Sequence, residues 1–110
     1  MLYRIDTFSL PEAARPEFEL RSSQTIALLR KQPGFVRDHW FEKVSGNGSV
    51  DMITMVEWED AASIDSAGQA ARAMHAANGF DAAVFVRQHS IIESKAVYRS
   101  RSELVSAQFG

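Results

Sequence analysis

The sequence predicts a single α+β domain with an antiparallel sheet, in the element order β-α-β-β-α-(α)-β. The chain has 110 residues, which fits one domain and is too short for two full cores. Two β-prone segments flank the dipeptide Asn47-Gly48, which is a strong hairpin signal. Two longer segments, one on each side of this hairpin, space their apolar residues as helices do.

Composition and charge exclude several classes of protein. A content of 45% hydrophobic and 24% charged residues is typical of globular proteins and argues against wholesale disorder. The net charge of -2 offers no basic surface, so neither nucleic acid nor a membrane is an expected partner. The absence of cysteine excludes disulfides, thiolate metal sites and cysteine nucleophiles. Charged residues interrupt the first apolar run, and no apolar run reaches about 20 residues, so we expect a cytoplasmic protein.

The first third of the chain predicts a strand followed by a helix. Residues 2–10 are β-prone, and Pro11 ends the run. Pro16 suits a first helical turn, so a helix is predicted from there to Gln32, where Pro33-Gly34 ends it. The inner stripe of this helix consists of Phe18, Ser22, Thr25 and Leu29, widened by Ile26 and Leu28.

The hairpin consists of predicted strands over residues 35–44 and 50–59. A turn centred on Asn47-Gly48 pairs three residues of one strand with three of the other: Val44 with Asp51, Trp40 with Met55, and Arg37 with Trp58. One face then carries Val36, Trp40, Val44, Ile53 and Met55, and the other carries Phe35, His39, Phe41, Met52, Val56 and Trp58. In a sheet with one solvent-exposed face, apolar and polar residues alternate along each strand. Here both faces carry apolar residues. We therefore expect both faces to be covered.

The second main helix is predicted from Ala61 to about Asn78. Asp60 is a good N-cap for it, and Asn78-Gly79 is a typical C-terminal stop. Its inner stripe consists of Ile64, Ala67, Gly68, Ala71, Met74 and His75.

The last third of the chain predicts a short helix and a final strand. Asp81 caps the helix, which runs to Gln88, and the strand covers residues 91–98. Residues 1–99 then form one domain of ferredoxin-like topology, and residues 100–110 are a tail, disordered or packed on a partner subunit. Two main helices cover one sheet face only. The apolar residues on the other face predict a homodimer, in which two paired sheets close a barrel.

Four short segments carry a recognisable pattern. They are Gln32-Pro33-Gly34-Phe35-Val36, residues 56–62 (VEWEDAA), residues 77–83 (ANGFDAA) and Ala96-Val97-Tyr98. Together they resemble the antibiotic biosynthesis monooxygenase family, over roughly residues 2–99. The resemblance implies the dimeric α+β barrel fold. It leaves the chemistry open, because the family includes cofactor-independent oxygenases of aromatic polyketide intermediates, haem-degrading monooxygenases and members without a known activity.

The two catalytic branches of the family differ in their site residues. The haem-degrading branch uses an asparagine on strand one, a tryptophan early in the second helix and a histidine later on it. Here the corresponding places hold Asp6, a segment over 64–67 without tryptophan, and His75, so the resemblance disfavours haem degradation. The cofactor-independent branch typically uses asparagine, tryptophan and arginine. The residues of these types that we take as substrate-binding candidates are Trp40, Trp58, Arg37 and Asn78.

His75 is the candidate catalytic residue. At the helical step of about 100° it lies about 20° around the helix from Ile64 and about 40° from Ala71, so it faces inward. One interpretation is a general base that removes a phenolic proton, or an axial metal ligand. The other is a buried structural histidine satisfied by a backbone carbonyl or a carboxylate. The small residues Ala67 and Gly68 on the same stripe favour a pocket.

Other constellations have simpler interpretations. In the predicted register Trp58 and Arg37 form a cross-strand cation–π contact. Asp38 and Glu57 face each other, so either they pair with basic groups such as Arg4 or Arg99, or one of them holds a proton. The spacing of the three histidines fits no metal site, and no Gly-rich phosphate loop occurs, so neither a metal nor a cofactor is expected.

The leading hypothesis from the sequence is a cofactor-independent monooxygenase acting on a small aromatic or quinol-type compound between sheet and helices. The alternative from another class is a non-catalytic ligand-binding or stress-related dimer. A haem-degrading monooxygenase is the third and least favoured hypothesis.

Overall fold

A computed structural model describes residues 1–44 and 48–102. Within them the strands are β1 (Leu2–Pro11), β2 (Phe35–Glu42), β3 (Ser49–Trp58) and β4 (Ile92–Tyr98). The helices are α1 (Arg15–Leu29), entered through a 3-10 turn at Glu12–Ala14, α2 (Ala61–Ala77) and α3 (Ala82–Gln88). This order confirms the predicted ferredoxin-like α+β topology. Most of the predicted tail, residues 103–110, lies outside the described residues.

The sheet is antiparallel throughout, in the order β2-β3-β1-β4. β1 and β3 pair along their whole length, from Leu2 opposite Trp58 to Pro11 opposite Ser49. α1 and α2 pack on one face, which we call the covered face. The other face, called the open face, has no helix of the described residues against it.

The helix boundaries lie close to the predicted ones. Asp60 caps α2, because its carboxylate accepts from the Ser63 N–H at 2.8 Å, and Asp81 caps α3 by accepting from the Val84 N–H at 3.1 Å. Both predicted caps are confirmed. α1 begins at Arg15 and ends three residues before Gln32, in a turn where the Arg30 N–H still bonds the Ile26 carbonyl. None of the helices in the described ranges is long and apolar enough to cross a membrane.

The register of the β2–β3 hairpin differs by one residue from the prediction. Trp40 lies opposite Thr54 rather than Met55. The Lys43 N–H donates to the Asp51 carbonyl at 2.8 Å, so Lys43 takes the place predicted for Val44. The predicted Asn-Gly tip falls largely on residues 45–47, which lie outside the described residues.

A β-bulge at Val36 shifts the register again at the start of β2. Phe35 lies opposite Trp58, whereas Arg37 already lies opposite Glu57. One extra residue on one strand is the usual form of such a bulge. The predicted cross-strand contact of Arg37 with Trp58 is therefore wrong.

The one-residue difference in the hairpin register moves residues 37–42 to the face opposite the predicted one, because neighbouring residues of a strand point to opposite faces, whereas the bulge leaves Phe35 on its predicted face. The covered face carries Phe35, Trp40, Met52, Val56 and Trp58, and the open face carries His39, Phe41, Ile53 and Met55. Grouping Trp40 with Ile53 and Met55 is thus wrong. Both faces nevertheless carry large apolar side chains, as expected: Phe41 is 51% and Ile53 42% exposed on the open face.

Asp38 and Glu57 do not face each other, which corrects the predicted like-charge pair. Asp38 lies opposite Val56, and two nitrogens of Arg30 donate to its carboxylate at 2.6 and 2.9 Å. This guanidinium holds the pKa of Asp38 below its usual range. Glu57 has its own partner, Arg37, at 2.9 Å. Each carboxylate is compensated by an arginine, but by Arg30 and Arg37 rather than by Arg4 or Arg99.

The apolar core under the helices is divided into two clusters. The first core cluster consists of Leu10, Ala14, Phe18, Val50, Met52, Phe85 and Ile91. The second core cluster consists of Val56, Trp58 and Ala67, with Leu29, Phe35 and Ile64 packed against it. Such a division leaves polar side chains in the middle of the sheet–helix layer, where the candidate site lies.

Candidate active site

His75 lies in the last turn of α2 and faces α1. Its Nε2 is 2.9 Å from the Thr25 hydroxyl oxygen, and that hydroxyl donates at 2.9 Å to the Arg21 carbonyl. A threonine hydroxyl has one proton, so Nε2 of His75 must carry the hydrogen of its contact with Thr25. Nδ1 then holds the lone pair of the neutral imidazole, and it bonds no other residue within the described ranges.

Phe80 forms an apolar wall beside the imidazole. The two rings are nearly perpendicular, with centroids 5.3 Å apart, and the Phe80 N–H donates to the His75 carbonyl at 2.9 Å. Phe80 in turn packs on Phe85 of the first core cluster, at 5.6 Å between centroids. His75 thus lies at the border between that cluster and the polar middle of the layer.

The surroundings of His75 favour its uncharged form. Burial is the main cause that lowers the pKa of His75 below its ordinary value, and the positive charges of Arg21 and Lys95 lower it further. A neutral imidazole at neutral pH has a lone pair available to accept a proton. His75 is therefore chemically equipped to act as a base.

Arg21 is a member of this site that the sequence reasoning missed. Its guanidinium carbon lies 4.6 Å from the centroid of Phe80, in a cation–π contact. Its Nε is buried and has no hydrogen-bond acceptor in the described part of the chain. The only signal in the sequence is its spacing of four residues from Thr25, which places both on neighbouring turns of one helix side.

A polar row on the sheet lies between the two core clusters. Asp6 of β1 is flanked by Thr54 of β3 and Lys95 of β4 on the covered face. Arg4, one pleat along β1, donates from Nε to Asp6 at 2.7 Å. These residues place positive and negative charges where a simple core would have apolar side chains. Lys95 is close enough to His75 to lower its pKa.

Trp40 lies at one end of this row, opposite Thr54. Its indole N–H points to the sulfur of Met52 at 3.2 Å, and its ring meets Phe18 edge-on at 6.5 Å. It also lines an open cleft of about 280 Å³ between α1 and β2, together with Glu19 and other residues. Trp40 thus has one side in the core and one side at a cleft.

The other three predicted binding residues do not meet His75. Trp58 is 2% exposed and packs edge-on against Phe35 in the second core cluster. Arg37 lies on the open face with Glu57. Asn78 is exposed at the C-terminal end of α2, where its N–H bonds the Met74 carbonyl. The structure brings Thr25, Arg21 and Phe80 to His75 in their place.

A family model decides which family the chain belongs to. The model of the antibiotic biosynthesis monooxygenases matches residues 1–84. The chain belongs to this family. No curated protein sequence matches it.

Solved structures show the same fold for this antibiotic biosynthesis monooxygenase family member. SnoaB from Streptomyces nogalater, a cofactor-independent oxygenase, is 21% identical, with a TM-score of 0.65 over 91% of this chain and 93% of that one. MhuD from Mycobacterium tuberculosis, a heme-degrader with two hemes in its active site, is 20% identical, with a TM-score of 0.64 over 92% and 96%. The fold thus accommodates more than one chemistry.

Proposed function

We propose that this family member is a cofactor-independent monooxygenase that oxidises a small aromatic or quinol-type compound between the sheet and the helices. The observation that carries the proposal is the contact of Thr25 with Nε2 of His75, which leaves Nδ1 without a partner among the described residues, and the burial that lowers the pKa of this imidazole supports it. Membership of the family and the shared fold with a cofactor-independent oxygenase support it. A helix α2 without tryptophan does not favour the haem-degrading alternative.

The proposed reaction begins with a proton transfer. Nδ1 of His75 takes a proton from the activated CH₂ carbon of an anthrone, or from the phenolic hydroxyl of its enol tautomer, and the same electron-rich anion then reacts with dioxygen. A CH₂ group then becomes C=O. One oxygen atom of O₂ enters this carbonyl, and the other leaves as water with the two hydrogens. The substrate carbon supplies all the electrons, so the reaction needs no external reductant.

The surrounding residues support this step in two ways. Phe80 and the first core cluster keep water away from the anion, which strengthens electrostatic interactions in the site. The positive charge of Lys95, close enough to act on His75, stabilises the developing oxyanion.

Oxygen uptake with a panel of anthrones and hydroquinones tests the proposal. We expect turnover by the native protein and a loss of about 10²–10⁴-fold in His75→Gln, the usual range for removal of a general base. His89→Gln is the matched control, because His89 follows the end of α3 and its ring packs on Phe85. If the native protein turns over no substrate faster than His75→Gln, the catalytic proposal is wrong. Binding without turnover then favours the ligand-binding dimer.

We further propose that the protein works as a homodimer through the open face. Phe41, Ile53 and Tyr98 are each about half exposed there, at 51%, 42% and 50%. Phe41 and Ile53 are direct cross-strand neighbours, and exposed apolar patches on a protein surface often mark interaction sites. A two-fold pairing of identical faces would bury these side chains, and it leaves the His75 site on the covered face of each subunit.

A further inference from the structure

Arg21 differs from the other partly buried arginines of the described ranges. Arg4 is paired with Asp6 at 2.7 Å, and Arg15 is paired with Glu12 and Glu42, each at 2.7 Å. Arg21 is also half-buried but has no carboxylate within ion-pair distance in the part of the chain that the structure describes. Its charge therefore has no counter-ion among residues 1–44 and 48–102.

The cation–π contact with Phe80 does not supply the hydrogen-bond acceptors that the N–H groups of the guanidinium need. The ring of Phe80 interacts with its flat face, at 4.6 Å from the guanidinium carbon. The N–H groups point along the edges of the plane, where an acceptor is needed, and Nε is buried without one. A buried donor without an acceptor is costly, so this arrangement favours a ligand that brings one.

We infer that Arg21 binds a permanent anionic group of the substrate, a carboxylate carried by the aromatic compound, and thereby places its ring system beside His75. This inference rests on the proposed function of the site. Arg21 and His75 are linked through Thr25, which bonds the Arg21 carbonyl and the imidazole at 2.9 Å each. Both side chains also contact the same ring, Phe80. A ligand bound by Arg21 therefore lies within reach of the base.

The charge state of the substrate before reaction explains why a carboxylate is required. A phenol has a pKa of about 10 and is neutral when it binds, so it cannot compensate Arg21 in the ground state. A carboxylate with a pKa of about 4 is already ionised. A planar guanidinium also matches carboxylate geometry with two parallel hydrogen bonds. In this arrangement Arg21 is a specificity-determining residue, and His75 performs the proton transfer.

Binding of two matched quinones tests the inference without turnover. The probes are 9,10-anthraquinone-2-carboxylate and 9,10-anthraquinone-2-carboxamide, which have the same rings and differ in charge. Their dissociation constants are measured by calorimetry for the native protein, Arg21→Gln, Arg21→Lys and Arg72→Gln. Arg72 is exposed on α2, so its variant removes the same charge from the protein without touching the site.

We expect the native protein and Arg72→Gln to bind the carboxylate about tenfold or more tightly than the carboxamide, the factor that one charge-assisted hydrogen bond supplies. Arg21→Gln should bind both compounds equally, and Arg21→Lys should keep part of the preference, since it retains the charge but loses the planar fork. Binding without preference in the native protein, or a preference that survives in Arg21→Gln, overturns the inference for Arg21 alone. Oxygen uptake with neutral anthrones then still supports the oxygenase. A native protein that binds neither quinone also overturns the inference for Arg21, and oxygen uptake then decides separately on the oxygenase.

Discussion

The imidazole of His75 and the hydroxyl of Thr25 meet at 2.9 Å across two helices, although the residues are 50 positions apart in the chain. This contact fixes the orientation of the ring and its tautomer, because the Thr25 proton is already donated to the Arg21 carbonyl. The contact makes Thr25 a positioning residue in the proposed reaction. It also leaves Nδ1 as the nitrogen of the ring that can accept a proton.

Replacement of Thr25 by valine should therefore weaken both stability and turnover. Valine has the same shape but leaves the Nε2–H of His75 without an acceptor, at a cost of about 1 kcal/mol in unfolding free energy. We expect oxygen uptake to fall about tenfold through loss of ring orientation. Thr25→Ser is the matched control, because it keeps the hydroxyl. Equal rates for valine and serine variants, together with an unchanged ¹⁵N spectrum of His75, would contradict the assigned role.

Part of the pH dependence of the unfolding free energy should come from His75. Its pKa in the folded protein is lower than in the unfolded chain, where it is about 6.5, so the unfolded state binds more protons as pH falls. The folded protein consequently loses stability below about pH 6.5, until the pH drops under the folded pKa. His75→Gln should lack this component. Urea unfolding of both proteins from pH 7.5 to 5 measures it, and parallel curves would show that His75 does not titrate differently on folding.

The homodimer proposal predicts the effect of a charge on the open face. Ile53 projects from β3, and Ile53→Glu would bury a carboxylate between two apposed sheets, so we expect a monomer. Leu20→Glu is the control, because Leu20 is 53% exposed on α1. Light scattering coupled to gel filtration at micromolar concentration gives the masses. A native protein that elutes as a stable monomer contradicts the proposal.

Gly34 and Gly79 form a matched pair for backbone strain. Both have positive φ, +85° and +66°, but a Cβ on Gly34 would collide with the Ser63 side chain, whereas a Cβ on Gly79 meets open space. We expect Gly79→Ala to cost about 1–2 kcal/mol for the left-handed backbone alone. Gly34→Ala should cost about 1–3 kcal/mol more, because it also overpacks the start of α2. Thermal and urea unfolding of the two variants measure this difference, and equal losses would exclude the steric contribution.

Local signals were sufficient for much of the fold. Asp60 and Asp81 cap helices with their own carboxylates, an interaction within four residues of chain, so the sequence predicts both helix starts correctly. Register depends on turn length and on a bulge, and neither is visible in the apolar pattern around Val36. The prediction therefore assigns Trp40 to the wrong face.

The sequence predicted one residue of the candidate site, His75, but not its neighbours Arg21 and Phe80. The helical period places His75 on the inner stripe, and the structure orients it toward α1. The position of Arg21 depends on the packing of α1 against α2 and on Phe80 from the following loop, which no periodicity encodes. A search for charged residues next to an inner helical stripe would be the way to find it in related chains.

The bulge at Val36 has a consequence for how β2 can change. Phe35 and Trp40 both face the helices although one is odd-numbered and the other even-numbered, and they pack on different core clusters. Removing the single residue Val36 would restore simple alternation and keep Phe35 opposite Trp58 and Trp40 opposite Thr54, so both rings would still face the helices. Val36 is therefore the position of β2 at which a related chain can lack one residue without turning either ring outward, and alignments of related chains should place a one-residue gap in this strand there.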